Sequence, residues 1–156
     1  MKVASLLAIS WIGFCGIAPF AMAEDAHTVI APKDVKWGPA SKALPAGAEA
    51  AVLFGDPTKE GFFALRLKLP AGYAIPPHMH PALEVDTVIS GTVKLGMGET
   101  ADRSAAKAIP AGSFFALPAD MAHFAYFDEE TVLQLTTNGP WGITYINPAD
   151  DPRKTQ

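Results

Sequence analysis

Turn-forming residues divide most of this chain into short segments. Thirteen Gly and 14 Pro fall among 156 residues, and they cluster as punctuation. The clusters include Trp37-Gly38-Pro39, Leu44-Pro45-Ala46-Gly47, Gly55-Asp56-Pro57, Ser90-Gly91, Pro110-Ala111-Gly112 and Pro118-Ala119-Asp120. Between them the apolar residues alternate with period two: Phe63, Leu65, Leu67 and Leu69 share one face, and Arg66 and Lys68 the other. The spacing predicts strands over 51–54, 62–69, 85–90, 92–97, 113–117, 123–127, 131–136 and 142–146, with 102–107 as a loop. No long segment carries a 3.6-residue period. The chain is therefore read as all-β, a sandwich or barrel in a single domain.

One stretch carries chemistry. His78 and His80 are one residue apart, so on an extended strand both imidazoles face the same way. With regular pairing, Glu84 points the same way again. Two imidazoles and a carboxylate on one inward face suit a divalent transition metal. Pro76, Pro77 and Pro81 stiffen the backbone around them and limit ladder pairing, which predicts a short, kinked or edge strand. Of four histidines in the chain, a third, His123, sits in a second patterned stretch, and His27 reads as solvated.

The beginning of the chain reads differently. Met1-Lys2 supplies a positive start, residues 3–18 form an uncharged apolar run, and Ala21-Met22-Ala23 fits a small-x-small cleavage site. A signal peptide over 1–23, cleaved after Ala23, predicts a periplasmic or secreted protein without a stable membrane anchor. The mature chain then comprises an arm (24–50), a barrel (51–147) and a tail (148–156). Cys15, the single cysteine, leaves with the leader, which excludes disulfides, Cys-ligated metals and Cys nucleophiles. A formal net charge of −4 with no basic run argues against nucleic acid as a partner.

The pattern Gly72, five residues, His78-x-His80, three residues, Glu84, six residues, Gly91 resembles the first motif of the cupin superfamily. The second motif is similar to Gly112, Pro118, His123 and Phe127, with Asp120 where the family has Gly and Phe127 where it often has Asn. Asp tolerates positive φ better than most residues, so this turn can survive. The resemblance spans residues 72–127. The stretch Trp141 to Tyr145 and the tail through Asp151 are also similar to exported, uncharacterised single-domain cupins. The resemblance implies a double-stranded β-helix, the jelly-roll cupin barrel. It further implies one divalent transition metal held by His78, His80, Glu84 and His123, with Fe, Mn, Ni, Cu and Zn all compatible.

Four protein ligands on an octahedral metal leave two positions for a small-molecule substrate or dioxygen. The first expectation is a dioxygenase-type enzyme acting on a small oxygenated molecule such as a dicarbonyl or phenol. The second is a redox-neutral isomerase, decarboxylase or lyase of sugar acids. The third is a non-catalytic binder of a metal or small ligand. Tyr73 and Gln134 are weak catalytic candidates, and Thr136, Arg66, Asp86 and Tyr126 weaker ones. Phe114, Phe115, Phe124, Phe127, Met79 and Met97 read as core. An apolar arm beside an open sheet edge makes a homodimer possible.

Overall fold

The computed structural model describes residues 27–154; the leader, its cleavage site after Ala23 and the last two residues lie outside them. Eleven strands form two antiparallel sheets. The strands are β1 (Gly38–Pro39), β2 (Glu49–Phe54), β3 (Gly61–Leu69), β4 (Tyr73–Met79), β5 (Glu84–Ser90), β6 (Thr92–Met97), β7 (Lys107–Pro110), β8 (Phe114–Leu117), β9 (His123–Phe127), β10 (Thr131–Gly139) and β11 (Thr144–Tyr145). One sheet runs β1-β2-β3-β10-β5-β8 and the other β11-β4-β9-β6-β7. Chain neighbours repeatedly change sheets, which is the jelly-roll arrangement of a double-stranded β-helix. Among the described residues, no helix is long and apolar enough to cross a membrane.

The alternation in β3 does what period two requires. Phe63, Leu65, Leu67 and Leu69 are buried between the sheets, and β10 contributes Leu133 and Leu135 from the next strand. Opposite them, β4 and β9 supply Ile75, Ala125 and Phe127. The predicted strand set is too sparse: β1 and β7 are additional, and the 142–146 segment pairs only at Thr144–Tyr145. Lys107, expected in a loop, opens β7.

Within the 24–50 segment, residues 27–50 are not a free arm. Ala43, Leu44 and Ala48 are buried in the core, and two phenols hold their loop, Tyr73 donating to Pro45 O and Tyr145 to Ala43 O. Of the six residues read as core, Phe124 and Phe127 are fully buried, while Phe114 and Met97 face solvent, 65% and 50% exposed. Alternation explains Phe114: its neighbour Phe115 takes the inward position and packs against the core.

Candidate metal centre

The centre forms where β4 ends. Register between β4 and β9 slips between Ile75 and His78, at two prolines that have no N–H to offer a ladder. Beyond the slip, His78 pairs directly with His123. His80 lies just past the strand, where its carbonyl accepts the Asp120 N–H at 2.9 Å. Asp120 itself has φ 60°, so it makes the left-handed turn in place of the family's Gly. All three imidazoles are buried, and their candidate donor atoms lie within 4.8 Å of one another.

Each ring is oriented by its other nitrogen. Nδ1 of His78 meets Pro76 O at 2.7 Å, Nδ1 of His80 meets Gly142 O at 2.7 Å, and Nδ1 of His123 meets Met121 O at 2.9 Å. A carbonyl only accepts, so Nδ1 carries the proton in all three and Nε2 is left as a lone pair. Burial, then the nearby His123 and His80, lowers the His78 pKa to about 2, and burial also lowers that of His123. Both rings are therefore neutral and able to ligate.

Glu84 reaches the site by a different route from the expected one. It is not a further step along the histidine strand: the chain turns at residues 81–83, and Glu84 opens β5 in the opposite sheet. From there its Oε2 stands 3.3 Å from His80 Nε2, although it lies outside the tight cluster of three histidines. The Trp141 indole N–H donates to the same Oε2 at 3.3 Å, and its ring stacks on His80 with centroids 5.6 Å apart and planes at 24°. No sequence pattern pointed to this role for Trp141, because the contact joins residues 57 apart in the chain.

Asp86 is the next inward residue of β5 after Glu84. It is 1% exposed, lines the cavity, and neither carboxyl oxygen has a hydrogen-bonding partner. Burial, then the charge of Glu84, pushes its pKa well up. The even spacing from Glu84 was the available signal. The remaining walls are aliphatic and aromatic, among them Leu67, Ile75, Leu95, Phe115, Leu133 and Leu135. The free space is narrow, ≈ 40 Å³, enough for two or three waters.

The other candidates lie elsewhere. Tyr73 begins β4, five residues before His78, and its phenol is pushed up by burial while it donates to Pro45 O. Gln134 accepts from Arg66 Nε at 3.2 Å across β10 and β3, on the face opposite Leu133 and Leu135. Thr136 shares that face and donates to Val85 O. Tyr126 lies under the Arg103 guanidinium, and His27 is exposed. None of these side chains lines the cavity.

Comparison with known proteins gives the arrangement a family. The polyketide cyclase RemF from Streptomyces resistomycificus superposes with TM-score 0.67 at 14% identity, covering 82% of this chain and 91% of RemF. A candidate acetylacetone dioxygenase from Methylibium petroleiphilum PM1 gives 0.62 at 18% identity, covering 81% and 85%. An RmlC-like cupin from Shewanella frigidimarina NCIMB 400 gives 0.52 at 17%, covering 69% and 86%. At these identities the likeness is one of fold. In sequence, germin-like protein 3-1 from Oryza sativa subsp. japonica is 38% identical over 68 residues, 43% of this chain and 30% of that protein. The chain thus spans under a third of that curated relative. The model of a domain of unknown function, DUF4437, matches residues 16–144. The chain belongs to this family, and its fold is that of the cupins.

The donor set of this cupin fits a metal ion. In the tautomer fixed by Gly142 O, the His80 Nε2 lone pair faces an acceptor oxygen of Glu84 at 3.3 Å. Two such atoms in a dry site repel unless a proton or a metal ion lies between them. Three imidazole nitrogens with carbonyl-fixed tautomers are the preparation that transition-metal ligation requires.

Proposed function

We propose that this cupin is a metal-dependent enzyme of dioxygenase type, acting on a small oxygenated molecule such as a dicarbonyl or a phenol. The observation that carries the reading is the set of three buried His Nε2 lone pairs, each fixed by a backbone carbonyl on Nδ1. His78, His80 and His123 would hold the ion, with Glu84 as fourth ligand. A bound divalent transition metal supplies a Lewis-acid centre with positions open to small oxygen ligands. The chain supplies the rest. Trp141 holds Glu84 and His80 in place, the apolar walls exclude bulk water, and Asp86 offers a carboxyl beside the reacting region. The fold shared with a candidate acetylacetone dioxygenase supports this choice without deciding it.

Asp86 favours a second reading, redox-neutral isomerase, decarboxylase or lyase chemistry, because a carboxyl pushed up by burial can hold a proton to give. Export through the 1–23 leader belongs to the proposal, and sequencing the N-terminus of the exported protein tests it. The decisive experiment is elemental analysis of exported protein beside a His78→Ala/His80→Ala control, followed by oxygen uptake on a panel of dicarbonyls and phenols. About one metal per chain, lost in the control, with oxygen consumed, supports the first reading. Turnover that persists without oxygen moves the assignment to the second. A chain that takes up no metal sinks both.

A further inference from the structure

Beyond the cavity, the inner face of the larger sheet continues outward. One cross-strand row runs Phe115, Asp86, Leu135, Leu65, Val52, each residue directly opposite the next on β8, β5, β10, β3 and β2. Its first three members line the cavity, and its last two line a groove of ≈ 570 Å³ on the β1–β2 side. Leu44, Leu67 and Trp141 line both spaces, so the two are adjacent there. Pro39, Ala50, Pro57 and Pro140 complete most of the groove, and no charged side chain lines it. Val52, at its centre, is 50% exposed.

We propose that this groove seats the carbon body of a neutral, apolar small molecule whose oxygen-bearing head reaches the metal cavity past Leu44, Leu67 and Trp141. The inference rests on the metal reading and narrows its substrate class. The cavity is too small for more than a head group, and the groove is large enough for a drug-sized body. The two spaces meet at Leu44, Leu67 and Trp141, which line both. An ionised ligand has no counter-charge in the groove, and desolvating its charge there would cost more than apolar contact returns. A sugar acid therefore does not fit, whereas an alkyl-substituted phenol or dicarbonyl does.

The test is a calorimetric titration of the full chain with phenol, 4-ethylphenol, 4-propylphenol and 4-butylphenol, and with galacturonate. Each is run on Zn-loaded and metal-free protein. Affinity should rise about three- to fourfold per added methylene, as expected for CH₂ groups leaving water, and galacturonate should not bind. Val52→Glu, which puts a charge in the groove without touching the metal residues, should flatten that slope while keeping wild-type metal content. Val52→Gln, uncharged, serves if the first variant fails to fold. Zn should shift the whole series by a constant factor. A slope without a Zn shift keeps the groove and removes the metal reading; a Zn shift without a slope does the reverse. A flat series in wild type, or an unchanged slope in the Val52 variants, overturns the proposal. So does a dimer in sedimentation that Val52→Glu dissociates, which would assign the groove to a second copy of the chain.

Discussion

Trp141 does more at the centre than any other residue that is not itself a candidate ligand. Its N–H fixes the Glu84 oxygen that faces His80, and its ring fixes the His80 plane. Partners one step removed from a metal typically govern its affinity by 10–100-fold. Trp141→Phe keeps the stack and removes the donor. We expect Zn affinity to fall about tenfold at unchanged stoichiometry, as measured by competition with a chromophoric chelator. Equal affinities would show that Glu84 needs no such support. Phe127 stands where the second motif that the chain resembles often has Asn, and it is 1% exposed, packed against Tyr73 and lining the cavity. That exchange makes the interior more apolar, consistent with an apolar substrate.

At the scale of single elements, the two glycines of the first motif have different tasks. Gly72 and Gly91 both have positive φ, 80° and 74°, so each makes a turn that other residues resist. A side chain at Gly72 would meet nothing, whereas a Cβ at Gly91 would sit 2.5 Å from Thr131 Oγ1 and 2.6 Å from Glu130 O. Gly72→Ala should therefore cost only the left-handed backbone penalty, about 1–2 kcal/mol. Gly91→Ala should cost clearly more, because Thr131 is fully buried and tied to Thr92. Urea titration of the two variants checks the order. In the other sheet, the Phe124 ring lies over Gly96, its cross-strand partner, where an added Cβ would fall 2.1 Å from ring carbons. Phe124 is itself 1% exposed and cannot swing away. Gly96→Ala should lose about 1–3 kcal/mol by overpacking, read as a lower urea midpoint with an unchanged m-value.

At the scale of the whole molecule, stability and metal are linked through protons. The folded-state pKa of His78 is depressed to about 2, against about 6.5 for an unperturbed imidazole. Between those values the unfolded chain binds a proton that the folded chain refuses, so stability is lost as pH falls below about 6.5. His123 acts in the same direction, and burial causes both shifts first. Asp86 has the opposite sign: its raised pKa gives the metal-free fold stability that is lost as pH rises through that raised value. In metal-free Asp86→Asn protein, which lacks the opposing group, Tm should therefore decline from pH 7 to pH 4.5, and adding His78→Gln should flatten the decline. Zn should raise Tm at pH 7.5 by mass action. An acid limb equally steep in the double variant would show that other groups set it.

The sequence by itself determined the fold class and the shared facing of His78 and His80, and a motif resemblance added His123. Period-two alternation in Phe63–Leu69 and frequent Gly and Pro are local properties, and they leave little besides short strands. Tertiary structure decided what depends on residues far apart in the chain. It placed Glu84 on the sheet opposite the histidines, carried Gln134 to the outer face and folded the Leu44 loop into the core. It also brought Trp141 onto a carboxylate 57 residues away. Strand alternation predicts which way a side chain points within its own strand; which strand it then faces is fixed by how two sheets close on a shared core, and no local pattern encodes that closure.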